Sequence, residues 1–122
     1  MNAVAAAQTA CVLVVEDDMF VAMLVEDILS NAGYRVVKAA RVDKALDLLT
    51  GNDSFDAALL DINLNGVEVF PVAAKLRELG VPFVFASGYG REGLPPDFLD
   101  CPVLQKPYMP DALTVAVAAL LR

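Results

Sequence analysis

The sequence predicts a doubly wound α/β domain, a parallel sheet covered by helices on both faces. Three observations predict it. Short apolar runs alternate with amphipathic stretches along the chain, the pattern of repeated β-α units joined by right-handed crossovers. The hydrophobic fraction is 57% and the charged fraction 20%, a balance suited to strands buried on both faces. At 122 residues the chain suits a single domain, which on folding buries roughly two-thirds of the surface its unfolded form exposes.

Each element has a local reason. Cys11-Val12-Leu13-Val14-Val15 is a continuous apolar run stopped by Glu16-Asp17-Asp18, the mark of a buried strand. Val21, Leu24, Val25 and Ile28 then recur at helical spacing, with acids at the helix head and Gly33 as its stop. Tyr34 to Val37 reads as a more mixed, edge strand. Val42, Ala45, Leu46 and Leu49 mark a second helix closed by Gly51, and Phe55 to Leu60 a third strand ending in Asp61. Asn63-Leu64-Asn65-Gly66 reads as a loop. Phe70, Ala73, Leu76 and Leu79 give a third helix with Pro71 in its first turn, where no N–H is needed, and Gly80 at its end. Pro82 to Ala86 is the fourth strand, followed by the turn Ser87-Gly88-Tyr89-Gly90. Arg91 to Asp100 contains Gly93, Pro95 and Pro96, so the expected fourth helix is short or irregular and Tyr89 to Asp100 the least ordered stretch. Val103 to Gln105 is a fifth strand before Lys106-Pro107, and Asp111 to Leu120 a last helix. Residues 1–10 are expected as an N-terminal extension to a domain spanning 11–122.

Composition excludes several functions. The net charge of -7 leaves no basic excess to neutralise phosphates, so nucleic acid is not an expected partner. No apolar run approaches the roughly 20 residues of a membrane helix. Met1 to Ala10 lacks the Lys or Arg of a secretory signal. Cys11 and Cys101 have no zinc-type spacing and fit free thiols in a reducing cytoplasm. The absence of histidine removes His-based general bases and catalytic triads.

In doubly wound sheets, ligands sit at the carboxyl ends of the strands. Strand one ends in Glu16 and Asp17, strand three in Asp61, strand four in Ser87 and strand five in Lys106. Taken singly, an acidic pair is an ordinary helix-start signal and Ser-Gly an ordinary turn. Their placement at four strand ends points to one site. Three adjacent carboxylates repel and call for a counter-charge. Mg²⁺ answers that need, with Glu16, Asp17 and Asp61 as ligands and the Asn63 backbone carbonyl as a further one. An Asp carboxylate can attack phosphorus to give an acyl phosphate, and Lys106 and the Ser87 hydroxyl supply the charge and donor that a phosphoryl group needs.

The stretches Val14-Val15-Glu16-Asp17-Asp18, Leu59-Leu60-Asp61-Ile62-Asn63, Ala86-Ser87-Gly88 and Gln105-Lys106-Pro107-Tyr108 together resemble the receiver domain of two-component response regulators. That resemblance implies a flavodoxin-like receiver fold with strand order 2-1-3-4-5. It implies Asp61 as phosphoacceptor, Glu16 and Asp17 as the acidic metal pair, Ser87 as the hydroxyl that follows the phosphoryl group, and Lys106 as its lysine. It also implies a cis Lys106-Pro107 bond. A histidine kinase or histidine phosphotransfer protein is the implied donor. The implied role is that of a single-domain, cytoplasmic, Mg²⁺-dependent regulator, not a conventional enzyme, acting in a phosphorelay or by contact with a downstream protein through the last helix and the irregular segment. Phe85-Ala86-Ser87-Gly88-Tyr89 is similar to the Phe-Ala-Thr-Gly-aromatic motif of a stand-alone subgroup. Val103 occupies the strand-five position where the family carries a switching aromatic, so an aromatic flip there is not available. With that strand order Cys11 and Cys101 lie three strand spacings apart, roughly 14 Å, beyond disulfide reach. Two other readings exist: a Mg²⁺-dependent phosphatase with an Asp nucleophile, and a pseudo-receiver interaction module. The first places its Asp after strand one, and the second does not need the five site residues.

Overall fold

The computed structural model describes residues 9–51, 53–89, 91 and 93–121. Of the expected extension, only Thr9 and Ala10 fall among them, and Gly90 and Glu92 of the irregular segment lie outside them. Five parallel strands, β1 (Cys11–Val15), β2 (Arg35–Ala39), β3 (Ala57–Asp61), β4 (Phe83–Ser87) and β5 (Val103–Gln105), form one sheet in the order β2-β1-β3-β4-β5. This is the expected flavodoxin-like order. Among the described residues four helices cover it: α1 (Met19–Asn31), α2 (Val42–Thr50), α3 (Phe70–Leu79) and α4 (Pro110–Leu120). None is long and apolar enough to cross a membrane.

Strand alternation divides the core in two. Val12, Val14, Leu59 and Val84 face α1 and α4, against Val25, Leu29, Leu113 and Val117. Leu13, Val15, Leu60 and Phe85 face α2, α3 and the segment before β5. β1, β3 and β4 are buried along their whole length, which is why they read as unbroken apolar runs. β2 is an edge strand with two exposed residues.

The structure refines several elements. β2 starts at Arg35 and runs two residues past Val37, because it continues pairing with β1 as far as Val15↔Ala39. In α1 the buried face is Ala22, Val25 and Leu29, with Val21 and Ile28 packed at its border and Leu24 50% exposed. That helix is apolar on nearly every side, so several stripes satisfied the helical period and the small Ala22 took the close approach. In α3, Val72 is buried and Leu79 is 48% exposed. Residues 63–66, read as a loop, form a two-stranded antiparallel ribbon with Val67 and Glu68. Its turn has Asn65 at φ 54° and Gly66 at φ 86°, the left-handed pair of a tight hairpin turn. Between β4 and β5 the described residues form no α-helix; Pro96–Phe98 makes a single 3₁₀ turn. Leu94 and Phe98 are buried there, whereas Leu99 is 53% exposed. The Lys106-Pro107 bond is cis, and Cys11 and Cys101 are free, buried thiols.

Candidate functional site

The sheet register builds the site. Val15 pairs with Leu60, and Asp61 with Ala86, so Glu16 emerges level with Asp61 and Ser87 one residue beyond. Lys106 follows Gln105, which pairs with Ser87, and its N–H donates to the Ser87 carbonyl at 3.0 Å. The carboxyl ends of β1, β3, β4 and β5 thus meet along one edge.

The three acids after β1 have separate tasks. Asp18 is the cap of α1, its carboxylate accepting from the Phe20 and Val21 N–H groups. Glu16 is turned into the protein and accepts from the Asp18 N–H at 3.1 Å. Asp17 accepts from the Asn65 N–H at 2.9 Å, tying the ribbon turn to β1. Asn63 Oδ1 accepts from the Gly66 N–H at 2.7 Å. The Val69 N–H bonds the Ile62 carbonyl, so by ladder alternation Asn63 sits at a non-hydrogen-bonded position of the ribbon and its carbonyl points away from the partner strand.

One carboxylate oxygen each from Glu16, Asp17 and Asp61 lie within 4.8 Å of one another. Lys106 Nζ donates to Glu16 Oε1 at 3.1 Å and lies 3.5 Å from Asp61 Oδ1. Burial pushes the Glu16 carboxyl up to about 7; the Asp61 charge adds to that, and the Asp18 N–H and Lys106 oppose it. Burial likewise raises Asp61 against the pull of Lys106. Desolvation works to lower Lys106, but the two carboxylates outweigh it and hold the ammonium above its ordinary value. Tyr108 is raised, first by burial and then by the charges of Glu16 and Asp61. One ammonium is therefore shared by two carboxyls reluctant to ionise together. An all-oxygen donor set with this charge deficit fits a hard divalent cation.

Ser87 is buried, and its Oγ accepts from the Tyr89 N–H at 2.9 Å, leaving the hydroxyl proton to donate. A cleft of about 640 Å³ opens above Asp61, lined among others by Asn63, Glu68, Ser87, Tyr89, Gly93 and Lys106. All five side chains expected at the site, Glu16, Asp17, Asp61, Ser87 and Lys106, lie along this edge, with Asn63 on the cleft wall. Sequence reasoning missed Glu68, because it read the ribbon as a loop, and the separate capping role of Asp18. The Asn65-Gly66 pair was the available signal for the first.

Comparisons with known proteins agree with this geometry. The family model described as "Response regulator receiver domain" matches residues 12–118. The chain is 34% identical over 117 residues to YrkP, an uncharacterized transcriptional regulatory protein of Bacillus subtilis (strain 168), covering 91% of this chain and 49% of that protein. It spans about half, or less, of the length of the curated relatives it matches. The solution structure of SdrG from Sphingomonas melonis Fr1 shares 39% identity at a TM-score of 0.80, covering 93% of this chain and 98% of that one. The N-terminal domain of a response regulator/sensory box/GGDEF protein from Carboxydothermus hydrogenoformans superposes at a TM-score of 0.82 with 25% identity, covering 92% and 94%.

Proposed function

This chain belongs to the response regulator receiver domain family, and from that premise we propose that it accepts a phosphoryl group on Asp61 from a histidine kinase or a histidine phosphotransfer protein. The observation that carries this reading is the Asp61 carboxylate at the end of β3, 3.5 Å from Lys106 Nζ and clustered with Glu16 and Asp17. The chain has no histidine of its own, so the phosphohistidine comes from the partner. An Asp61 oxygen attacks phosphorus, the donor P–N bond breaks, and the imidazole leaves with a proton from solvent. The acyl phosphate so formed remains on Asp61.

Glu16, Asp17, Asp61 and the Asn63 carbonyl are the residues that would hold Mg²⁺, which when bound supplies charge that lets the carboxylates ionise and neutralises phosphoryl oxygens. Lys106 pairs with the new negative charge. Ser87 donates its hydroxyl proton to a phosphoryl oxygen. Support for activation by a phosphoryl group comes from SdrG, 39% identical, for which a BeF3-activated conformation has been solved.

The start of α1 borders the site and exposes Met19 (71%), Phe20 (82%), Met23 and Leu24. We assign this apolar surface to the phosphodonor and retain α4 with the neighbouring segment for the downstream partner, all within the cytoplasm. The test is transfer of labelled phosphate from a phosphohistidine donor. Wild type takes up label and Asp61→Asn takes up none. Undiminished labelling of that variant, or steady turnover of small phosphate esters as by a phosphatase, overturns the reading.

A further inference from the structure

We propose that Glu68 is a charge filter on the phosphoacceptor cleft: its carboxylate stands on the cleft wall and selects among the phosphodonors that reach Asp61, disfavouring small, doubly charged ones. The inference deepens the proposed acceptor role and rests on it.

The ribbon places Glu68. Its two residue pairs are Asn63↔Glu68 and Leu64↔Val67, and neighbouring residues of a strand present opposite sides. Leu64 and Val67 take one side, where with Val42 and Leu46 of α2 they line an apolar hollow of about 440 Å³. Asn63 and Glu68 take the other side and line the cleft above Asp61. The backbone that carries Glu68 is pinned on both sides. In the turn before it, Asp17 accepts from the Asn65 N–H at 2.9 Å. Immediately after it, Val69 is fully buried and its N–H bonds the Ile62 carbonyl at 2.9 Å. The carboxylate is therefore held at this wall rather than carried on a loose loop.

The other polar groups of the cleft are already engaged. Asn63 Oδ1 accepts from the Gly66 N–H, Ser87 Oγ accepts from the Tyr89 N–H, and Lys106 faces Glu16 and Asp61. Glu68 is exposed, and among the described residues no hydrogen bond or ion pair engages its carboxylate. It also stands outside the carboxylate set that would hold the cation, so neither Lys106 nor a divalent ion at that set offsets it directly. A phosphoryl group on its way to Asp61 passes along this wall. The repulsion it meets grows with its own charge, and because the wall is open to solvent the repulsion is screened by salt. A phosphohistidine carried on a protein has a further source of attraction, the exposed Met19 and Phe20 of α1, which does not depend on charge.

Two small donors read the filter. Acetyl phosphate is doubly negative at neutral pH, whereas phosphoramidate carries one net negative charge. With either, an Asp61 oxygen attacks phosphorus, the P–O or P–N bond breaks, and acetate or ammonia leaves. Uptake rates at saturating Mg²⁺ and low salt give, for each protein, the ratio of acetyl phosphate to phosphoramidate. Glu68→Gln is expected to raise that ratio about threefold and Glu68→Lys about tenfold, both gains shrinking in high salt. Glu68→Asp is expected to stay near the wild-type ratio. A merely structural role would change both rates together and leave the ratio where it was. An unchanged ratio in Glu68→Gln and Glu68→Lys, with label still lost in Asp61→Asn, overturns the filter and leaves the acceptor role standing. A raised ratio that high salt does not reduce also overturns it, since the effect is then one of size rather than charge. If Asp61→Asn takes up label as the wild type does, or the wild type takes up none, the filter and the acceptor role fall together. If Glu68→Lys does not fold, Glu68→Gln decides alone.

Discussion

The two faces of this sheet are built from the same strands but from different side chains. The α1–α4 face is aliphatic: Val12, Val14, Leu59 and Val84 meet Val25, Leu29, Leu113 and Val117. The opposite face holds the packed rings of Phe70, Phe83, Phe85 and Phe98, with Leu94 and Cys101 of the segment before β5 in the same cluster. Branched aliphatic chains fill space without a preferred mutual angle and resist reorganisation. Rings impose geometry on one another, so a change at one is felt by the next. The difference leaves an aliphatic packing core beneath α1 and α4 and a core of rings at fixed mutual angles on the opposite face, with Asp61 at the end of β3 between them.

Four substitutions sharpen or break that division, in order of expected effect on stability. Leu29→Ala on the aliphatic face should cost about 2–5 kcal/mol in denaturant unfolding, with phosphate uptake per folded molecule unchanged. A large loss of uptake in the folded fraction would mean that this face takes part in phosphate acceptance. Phe98→Leu keeps an apolar side chain but loses the ring contacts and should cost about 1–2 kcal/mol. Its signature is faster amide exchange across residues 93–101, with protection of β1 retained. Asp18→Ala removes the α1 cap and should cost about 1 kcal/mol. Phosphate uptake from a small-molecule donor should stay intact, because Glu16 and Asp17 rather than Asp18 face the site. Phe20→Ser, on the outer side of α1, should change stability by less than about 0.5 kcal/mol. It should nevertheless slow transfer from the protein donor while leaving small-molecule uptake alone; equal slowing of both would remove α1 as the donor surface.

Much of this was legible in the sequence because the informative residues sit where strands stop. Glu16, Asp17, Asp61, Ser87 and Lys106 each follow an apolar run, and a parallel sheet brings such positions to one edge whatever the loops do. The strand order and the cis bond before Pro107 follow the expected family pattern, and the two thiols are free, as the strand spacing implied. The parts that were not legible depend on contacts between distant residues or on ambiguous periodicity. Nothing local says that Arg77 reaches the Asp97 carbonyl, twenty residues on, or that Arg91 reaches the carbonyls of Leu99 and Cys101. Glycines and prolines there gave the signal for irregular backbone, but irregular backbone can be pinned by side chains that pattern does not reveal. The face of α1 was misjudged at Leu24 because its apolar residues run nearly all the way round. The ribbon was read as a loop because each of its strands is only two residues long.

The most direct measurement of the central claim is chemical trapping of the acyl phosphate. Protein treated with Mg²⁺ and a small phosphodonor is reduced with borohydride, which converts a phosphorylated Asp to homoserine, and is then digested and sequenced by mass. The account predicts homoserine at position 61, dependent on Mg²⁺ and absent from untreated protein, with Asp17 and Asp18 unmodified. Homoserine at another carboxylate, or none at all in protein that has gained the mass of a phosphoryl group, would contradict it.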